Sequence, residues 1–284
     1  MADKDPSTVR IRSTRPDIAS LGGLLVAAAA LLGGLIMDGG KISDVTQITA
    51  AIIVLGGTLG AVMMTSSLSS LIAAALALKK VFFEEVIHPE AAIDEIVGYA
   101  TKARKNSLIS LEDDLEKIEE PLLKKALTLA VDGTDLQELR KMIELDLVQC
   151  EKATEAEAKV FEAAGGYSPT IGIIGAVMGL IQVMKHLENI EEVGKGIAVA
   201  FVATVYGVAV ANIFFLPAAN KLKARGQKDV QLKELLLEGV SAILEGMNPK
   251  LIRVKLEAFV QNGGKAAAAP AEKSAAAAAV VARG

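Results

Sequence analysis

Apolar residues gather into four long runs, roughly Ile18–Met37, Val45–Leu78, Tyr167–Met184 and Ile197–Leu216, while charged positions collect between Lys79 and Glu162 and after Lys221. At about 1.5 Å per helical residue, each run can cross a hydrocarbon core of about 30 Å. The second run is too long for one crossing. Ser66, Ser67, Ser69 and Ser70 cluster near its middle, which predicts a crossing at about Thr46–Met64 and a separate interfacial or cytoplasmic helix over Thr65–Leu78. Further on, Val81–Phe83, Ile93, Ile96, Val97 and Tyr99–Ala100, then Leu136, Leu139, Ile143, Leu147 and Val148, recur at helical spacing. Pro121 and Gly133 punctuate that series. The pattern predicts an all-α membrane protein with four transmembrane helices and a large helical cytoplasmic domain between the second and third spans. The expected divisions are an N-terminal segment (1–16), a first hairpin (17–64), the helical domain (65–166), a second hairpin (167–217), C-terminal helices (218–260) and a disordered Ala-rich tail (261–284).

Loop charges set the orientation. Lys4, Arg10, Arg12 and Arg15 precede the first span, whereas Asp38–Asp44 holds only Lys41. Lys79, Lys80, Lys102, Arg104 and Lys105 follow the second span, and Lys221, Lys223 and Arg225 follow the fourth. By the positive-inside rule both termini and the central domain are cytoplasmic. Composition agrees: the chain is 52% hydrophobic with a mean hydropathy of +0.42, and its net charge of −4 hides this asymmetry. Acidic residues such as Glu112–Asp114 and Glu119–Glu120 read as a solvated helical face. Met1–Pro16 is polar and basic, without the features of a signal peptide.

Chemistry-bearing residues are sparse. Cys150 is alone, so neither an internal disulfide nor a metal pair is expected, and His88 and His186 read as solvated loop residues. No basic patch interleaved with aromatics supports nucleic-acid binding, and no Gly-rich Lys-Ser/Thr phosphate loop supports a nucleotide-dependent enzyme. No cofactor and no catalytic site are expected. The spans themselves contain no Asp, Glu, Lys, Arg or His. Ion paths are commonly marked by such groups. Either the protein is a non-conducting scaffold, or a partner chain inserts the missing ionisable group.

The last two spans carry stripes of small residues. Pro169, Gly172, Ala176 and Gly179 share one face of the third, where Gly175 and Gly179 also form a GxxxG spacing. Ala200, Ala203 or Thr204, Gly207 and Ala211 repeat the device on the fourth. Such stripes let backbones approach closely, and two in succession suggest a small-walled surface for another helix. Thr204 either bonds the carbonyl one turn back or offers a polar wall group to a permeating ion. Pro169 reads as a first-turn proline and Pro217 as the end of the fourth span, with a bend near a channel mouth as the alternative.

Three segments together resemble the flagellar-stator members of the MotA/TolQ/ExbB family. They are Ile53-Val-Leu-Gly-Gly-Thr-Leu-Gly-Ala61, Ser168-Pro-Thr-Ile-Gly-Ile-Ile-Gly-Ala-Val-Met-Gly-Leu180, and Gly196-Ile-Ala-Val-Ala-Phe-Val-Ala-Thr-Val-Tyr-Gly207 running into Phe214-Phe-Leu-Pro217. The likeness covers about Pro16–Val260. TolQ-like and ExbB-like energy-transducing subunits remain the alternative, disfavoured because they have three spans and the opposite N-terminal orientation. The resemblance implies a multi-pass protein of the bacterial inner membrane that forms a homopentamer around a pair of MotB-type single-span subunits, whose aspartate accepts the ion. It implies an ion path lined by Pro169, Thr170, Ala176, Thr204 and Pro217, with Gly172, Gly175, Gly179 and Gly207 in helix packing. Arg104-Lys-Asn-Ser-Leu-Ile-Ser-Leu-Glu112 matches the family's rotor-contact segment, which makes Arg104 and Glu112, with Lys105 as an accessory, contacts to the rotor protein FliG. Ser107 stands where relatives commonly have glycine. Sodium-type relatives carry a threonine at the position of Ala176, so the expected ion is H+ rather than Na+.

Overall fold

The computed structural model describes residues 11–261. Of the expected Ala-rich tail only Gln261 is described, in a helix, and the rest lies outside the described residues, as does the segment before Ile11. In chain order the elements are β1 (Arg12–Pro16), α1 (Ile18–Met37), α2 (Ile48–Ala51, a π-type turn at Ile52–Gly56, then Gly57–Thr65), α3 (Leu68–Phe82) and β2 (Phe83–Ile87). They continue with α4 (Pro89–Asn106), short turns at Leu108–Leu111 and Glu112–Leu115, α5 (Pro121–Val131) and α6 (Leu136–Lys185). Last come α7 (Ile190–Val210, a π-type turn at Ala211–Phe215, then Leu216–Leu244) and α8 over 249–261. Among the described residues the fold is all-α except for the ribbon of β1 and β2, which are antiparallel: His88 N–H donates to the Ile11 carbonyl at 2.9 Å and Asp17 N–H to that of Phe82 at 2.8 Å.

Contacts divide the chain into two compact units, one comprising 14–84 and 152–226, the other, among the described residues, 11–13, 85–151 and 227–261. In the first unit, four helices are long and apolar enough to cross a membrane. Asp17 caps α1 by accepting from Ser20 N–H at 3.0 Å, and no residue of α1 is buried. The polar cluster ends α2: Ser66 and Ser67 are extended, and Ser67 Oγ caps α3 through Ser70 N–H at 3.2 Å. Small side chains dominate the buried positions, with Ala74, Ala77, Ala158, Ala164, Ala218 and Ala219 around Phe161 and Leu222, and Ala50, Val54, Val202 and Ala203 in a second cluster.

Both prolines depart from the sequence reading. Pro169 lies inside the continuous 50-residue α6, not in a first turn, and α7 runs on past Pro217. The expected boundaries at 166/167 and 217/218 therefore fall within helices. A proline ring presses on the turn before it and removes one donor. The wider π-type turn at Ala211–Phe215 adjusts the hydrogen-bond register just before Pro217, whereas at Pro169 the donor is lost within an unbroken helix.

The second unit is a helical bundle around Ile96, Leu111, Leu123, Leu127, Leu139, Ile143, Leu235, Leu236, Ile252 and Leu256. Pro121 opens α5, and Gly133, at φ +81°, follows its C-terminus in the left-handed region. Glu120 is an exception to the solvated acidic face: it is buried, with Arg12 Nε donating to it at 2.7 Å.

Candidate functional site

The small-residue stripes meet each other. A Cβ placed on Gly172 would lie 2.8 Å from the Ala203 carbonyl oxygen, and one on Gly179 2.8 Å from Ala200 N and the Gly196 oxygen. On Gly207 it would lie 2.6 Å from the Ser168 oxygen, and on Gly175 2.8 Å from Ala203 Cβ. The third and fourth spans are thus sealed backbone to backbone by glycines that no larger residue can replace without displacement. This corrects the expectation that the stripes leave a small-walled surface for another helix, because the chain's own neighbouring span occupies it. What the pair presents outward is the opposite face: Thr170, Ile173, Ile174, Val177 and Ile181 on α6, and Phe201, Val205 and Val208 on α7, all exposed.

Of the expected path residues, Thr170, Pro169, Ala176 and Thr204 lie on or beside that face, whereas Pro217 lines a cleft against α1. Ala176 and Pro169 are half-buried, and Pro217 is exposed. Thr204 packs its Cα against Gly172, one turn from Ala176, and its hydroxyl donates to the Ala200 carbonyl at 3.2 Å. Thr170 likewise donates to Tyr167 at 2.8 Å. Both protons are committed to their own helix, leaving only oxygen lone pairs to face outward. Two further hydroxyls, Ser168 and Thr58, are buried in the spans without a hydrogen-bond partner among the described residues. Ser168 stands beside the proline in the matched motif, and that adjacency was the available signal.

In the other unit, Arg104 and Lys105 end α4 and Glu112 begins the short turn at Glu112–Leu115, all three exposed. Among the described residues, no ion pair engages any of them, so their charges are available to a partner. Lys102 and Asp114, which the sequence reading passed over, pin the segment at 2.5 Å, and Lys117 adds a second contact to Asp114 at 2.9 Å. Hydrogen bonds from Lys102 and then Lys117 hold the Asp114 carboxyl below its ordinary range. Between the charges, Ser107 is the only non-glycine residue among those described with a positive φ, at +74° with ψ 164°. That region is essentially reserved for glycine and costs about 1–3 kcal/mol otherwise. The resemblance flagged this residue, and the backbone gives the reason.

A third cluster had no motif to announce it. The Asp17 carboxylate is paired with both Lys221 and Arg225, Arg225 Nη1 also donates to the Phe83 carbonyl at 2.5 Å, and Lys221 reaches Ser20 Oγ at 2.5 Å. Burial opposes ionisation of Asp17, but the hydrogen bonds from Lys221 and Ser20 N–H and the two cations outweigh it, placing the carboxyl at about 2. This ties the start of α1 to the segment of α7 just beyond its apolar core.

Comparison with known proteins places these features in context. The sequence model of the MotA/TolQ/ExbB proton channel family matches residues 114–235, and that of the motility protein A N-terminal region matches 21–105. Motility protein A of Bacillus subtilis is 35% identical over 248 residues, spanning 86% of this chain and 91% of the relative. The solved Campylobacter jejuni MotAB structure ("C. jejuni MotAB") contains a chain with a TM-score of 0.81 and 31% identity, covering 86% of this chain and 95% of that one. The flagellar MotAB stator complex from Bacillus subtilis gives 0.78 and 34%, covering 84% and 94%.

Proposed function

The chain belongs to the MotA/TolQ/ExbB proton channel family, and from that premise we infer how it works as a stator subunit of the bacterial flagellar motor. It is a multi-pass protein of the inner membrane. One observation carries the mechanism: four apolar spans without Asp, Glu, Lys, Arg or His, the last two sealed together so that an apolar face of α6 and α7 remains outward. A group that binds and releases the ion must come from another chain. A MotB-type single-span partner with an intramembrane carboxylate, surrounded by a homopentamer of this chain, supplies it.

Protons suit this path better than sodium. A dehydrated sodium ion needs several oxygen ligands. Here Ala176 offers a methyl group in place of a further hydroxyl oxygen beside Thr204. A proton needs only water and an accepting carboxylate. Pro169 then stands at the cytoplasmic end of the lined path, and Pro217, at the same end of the fourth span, faces a cleft beside α1. Proton passage turns the pentamer about its partner, and Arg104, Lys105 and Glu112 engage the rotor protein FliG. Exposed charges steer and release a partner quickly, which fits repeated stepping.

The test is co-expression with the MotB-type partner in a stator-deleted bacterium. Swimming speed should follow the proton gradient and persist without sodium. Speed that tracks external sodium would overturn the ion assignment, and an absence of motility and of ion flux would overturn the stator mechanism.

A further inference from the structure

A cleft of about 420 Å³ opens beside the Asp17 cluster, within the membrane unit. That volume falls in the range of about 300–1,000 Å³ typical of ligand pockets. Its wall along α1 is built from Ser20, Gly23 and Ala27, and its opposite wall from Phe214 and Pro217, with Lys221 at one end. A Cβ on Gly23 would meet nothing within 4 Å, so the space beside it is open. The cleft therefore has a polar end and an apolar length. Along α1 the lining runs from Ala19 to Ala27, a rise of about 12 Å, most of the roughly 15 Å that makes half of a hydrocarbon core.

The polar end carries charge to spare. One carboxylate, Asp17, faces two cations, Lys221 and Arg225, which leaves a single net positive charge. An ammonium has three donors. Lys221 uses one toward Asp17 and one toward Ser20 Oγ, and the third is uncommitted. The positive-inside pattern puts this end at the cytoplasmic surface. Basic pockets between spans on that side recognise anionic lipid headgroups, and a free phosphate would have no use for the apolar length.

We propose that this cleft holds one anionic phospholipid of the cytoplasmic leaflet, its phosphate at Lys221 and Ser20 and one acyl chain along Gly23, Ala27 and Phe214. The site depends on the membrane placement of the spans and not on ion conduction, so its test reads lipid and leaves motility aside. The full chain, co-expressed and purified with its single-span partner, is placed in nanodiscs of phosphatidylcholine containing phosphatidylglycerol, and retained lipid is measured by native mass spectrometry. The wild type should keep phosphatidylglycerol in preference to phosphatidylcholine. Lys221→Gln should cut that preference roughly fivefold, the worth of one basic residue at a membrane surface. Ala27→Leu, which fills the apolar end and leaves the charge unchanged, should reduce retention of both lipids. If Lys221→Gln fails to assemble, Ala27→Leu and the wild-type headgroup comparison still decide. Equal retention of both headgroups by the wild type, retention unchanged in Ala27→Leu, or a neighbouring subunit's helix filling the cleft in a structure of the complex would each overturn the proposal.

Discussion

Replacing Gly207 with alanine adds one methyl group at the tightest point of the seam between the third and fourth spans. The new Cβ would sit 2.6 Å from the Ser168 carbonyl oxygen, where ordinary contact begins at 3.4 Å. No rotamer can relieve a clash with backbone, so the helices must part by roughly 0.8 Å, a gap that forfeits a quarter to a half of each dispersion contact along the seam. Overpacking of this kind costs about 1–3 kcal/mol. The intrinsic preference of a helix for alanine returns about 1 kcal/mol, for a net loss of up to about 2. Gly166, in the same helix as Ser168, supplies the control, since a Cβ there meets nothing within 4 Å. Gly166→Ala keeps the propensity gain without the clash. The assay is the temperature at which half of the purified complex is lost from its size-exclusion peak. At roughly 2–4 °C per kcal/mol, Gly207→Ala should fall by several degrees while Gly166→Ala stays level or rises. A Gly207→Ala complex as stable as the wild type, or a Gly166→Ala complex equally weakened, would refute the backbone seam.

Ser107→Gly should relieve the strained turn by up to about 2 kcal/mol after the entropy of glycine is subtracted, slowing amide exchange across 104–115 by several-fold, whereas Ser107→Ala should not. Asp17→Asn should destabilise the membrane unit by about 1–3 kcal/mol, because it leaves Lys221 and Arg225 facing a neutral group. In the wild type, Asp17's carboxyl is depressed from about 3.9 in an unfolded chain to about 2, so its contribution is complete above about pH 4 and is lost as pH falls towards about 2. Stability measured on the acid limb should therefore drop in that window for the wild type and much less for Asp17→Asn. Arg104→Glu with Glu112→Lys should reduce torque without affecting membrane insertion, and full motility of the double mutant would count against their contact with the rotor.

The spans, the serine break after α2 and the helical character of the central domain were legible because each rests on a local pattern: a charge-free run, a cap, a 3.6-residue period. The exposed charges at Arg104, Lys105 and Glu112 were legible only through resemblance, since an isolated surface charge has no signature of its own. The prolines misled because position in a helix depends on what precedes them. A ring at Pro169 reads as a start because nothing in its own segment shows that the helix begins far earlier, at Leu136. The ribbon of Arg12–Pro16 with Phe83–Ile87 and the cluster of Asp17 with Lys221 and Arg225 were invisible for a different reason. They join residues roughly 70 and 200 positions apart, a separation that no window along the chain spans.

The glycine seam also predicts a genetic asymmetry. At Gly175 an added methyl would strike a side chain, Ala203 Cβ, so Gly175→Ala should be open to suppression by Ala203→Gly, which gives back the volume taken. At Gly179 and Gly207 the obstructing atoms belong to the backbone of the facing span, which every amino acid shares. No second-site substitution can delete a main-chain oxygen. A selection for revertants should therefore return a compensating partner for the first lesion and only true reversion for the other two.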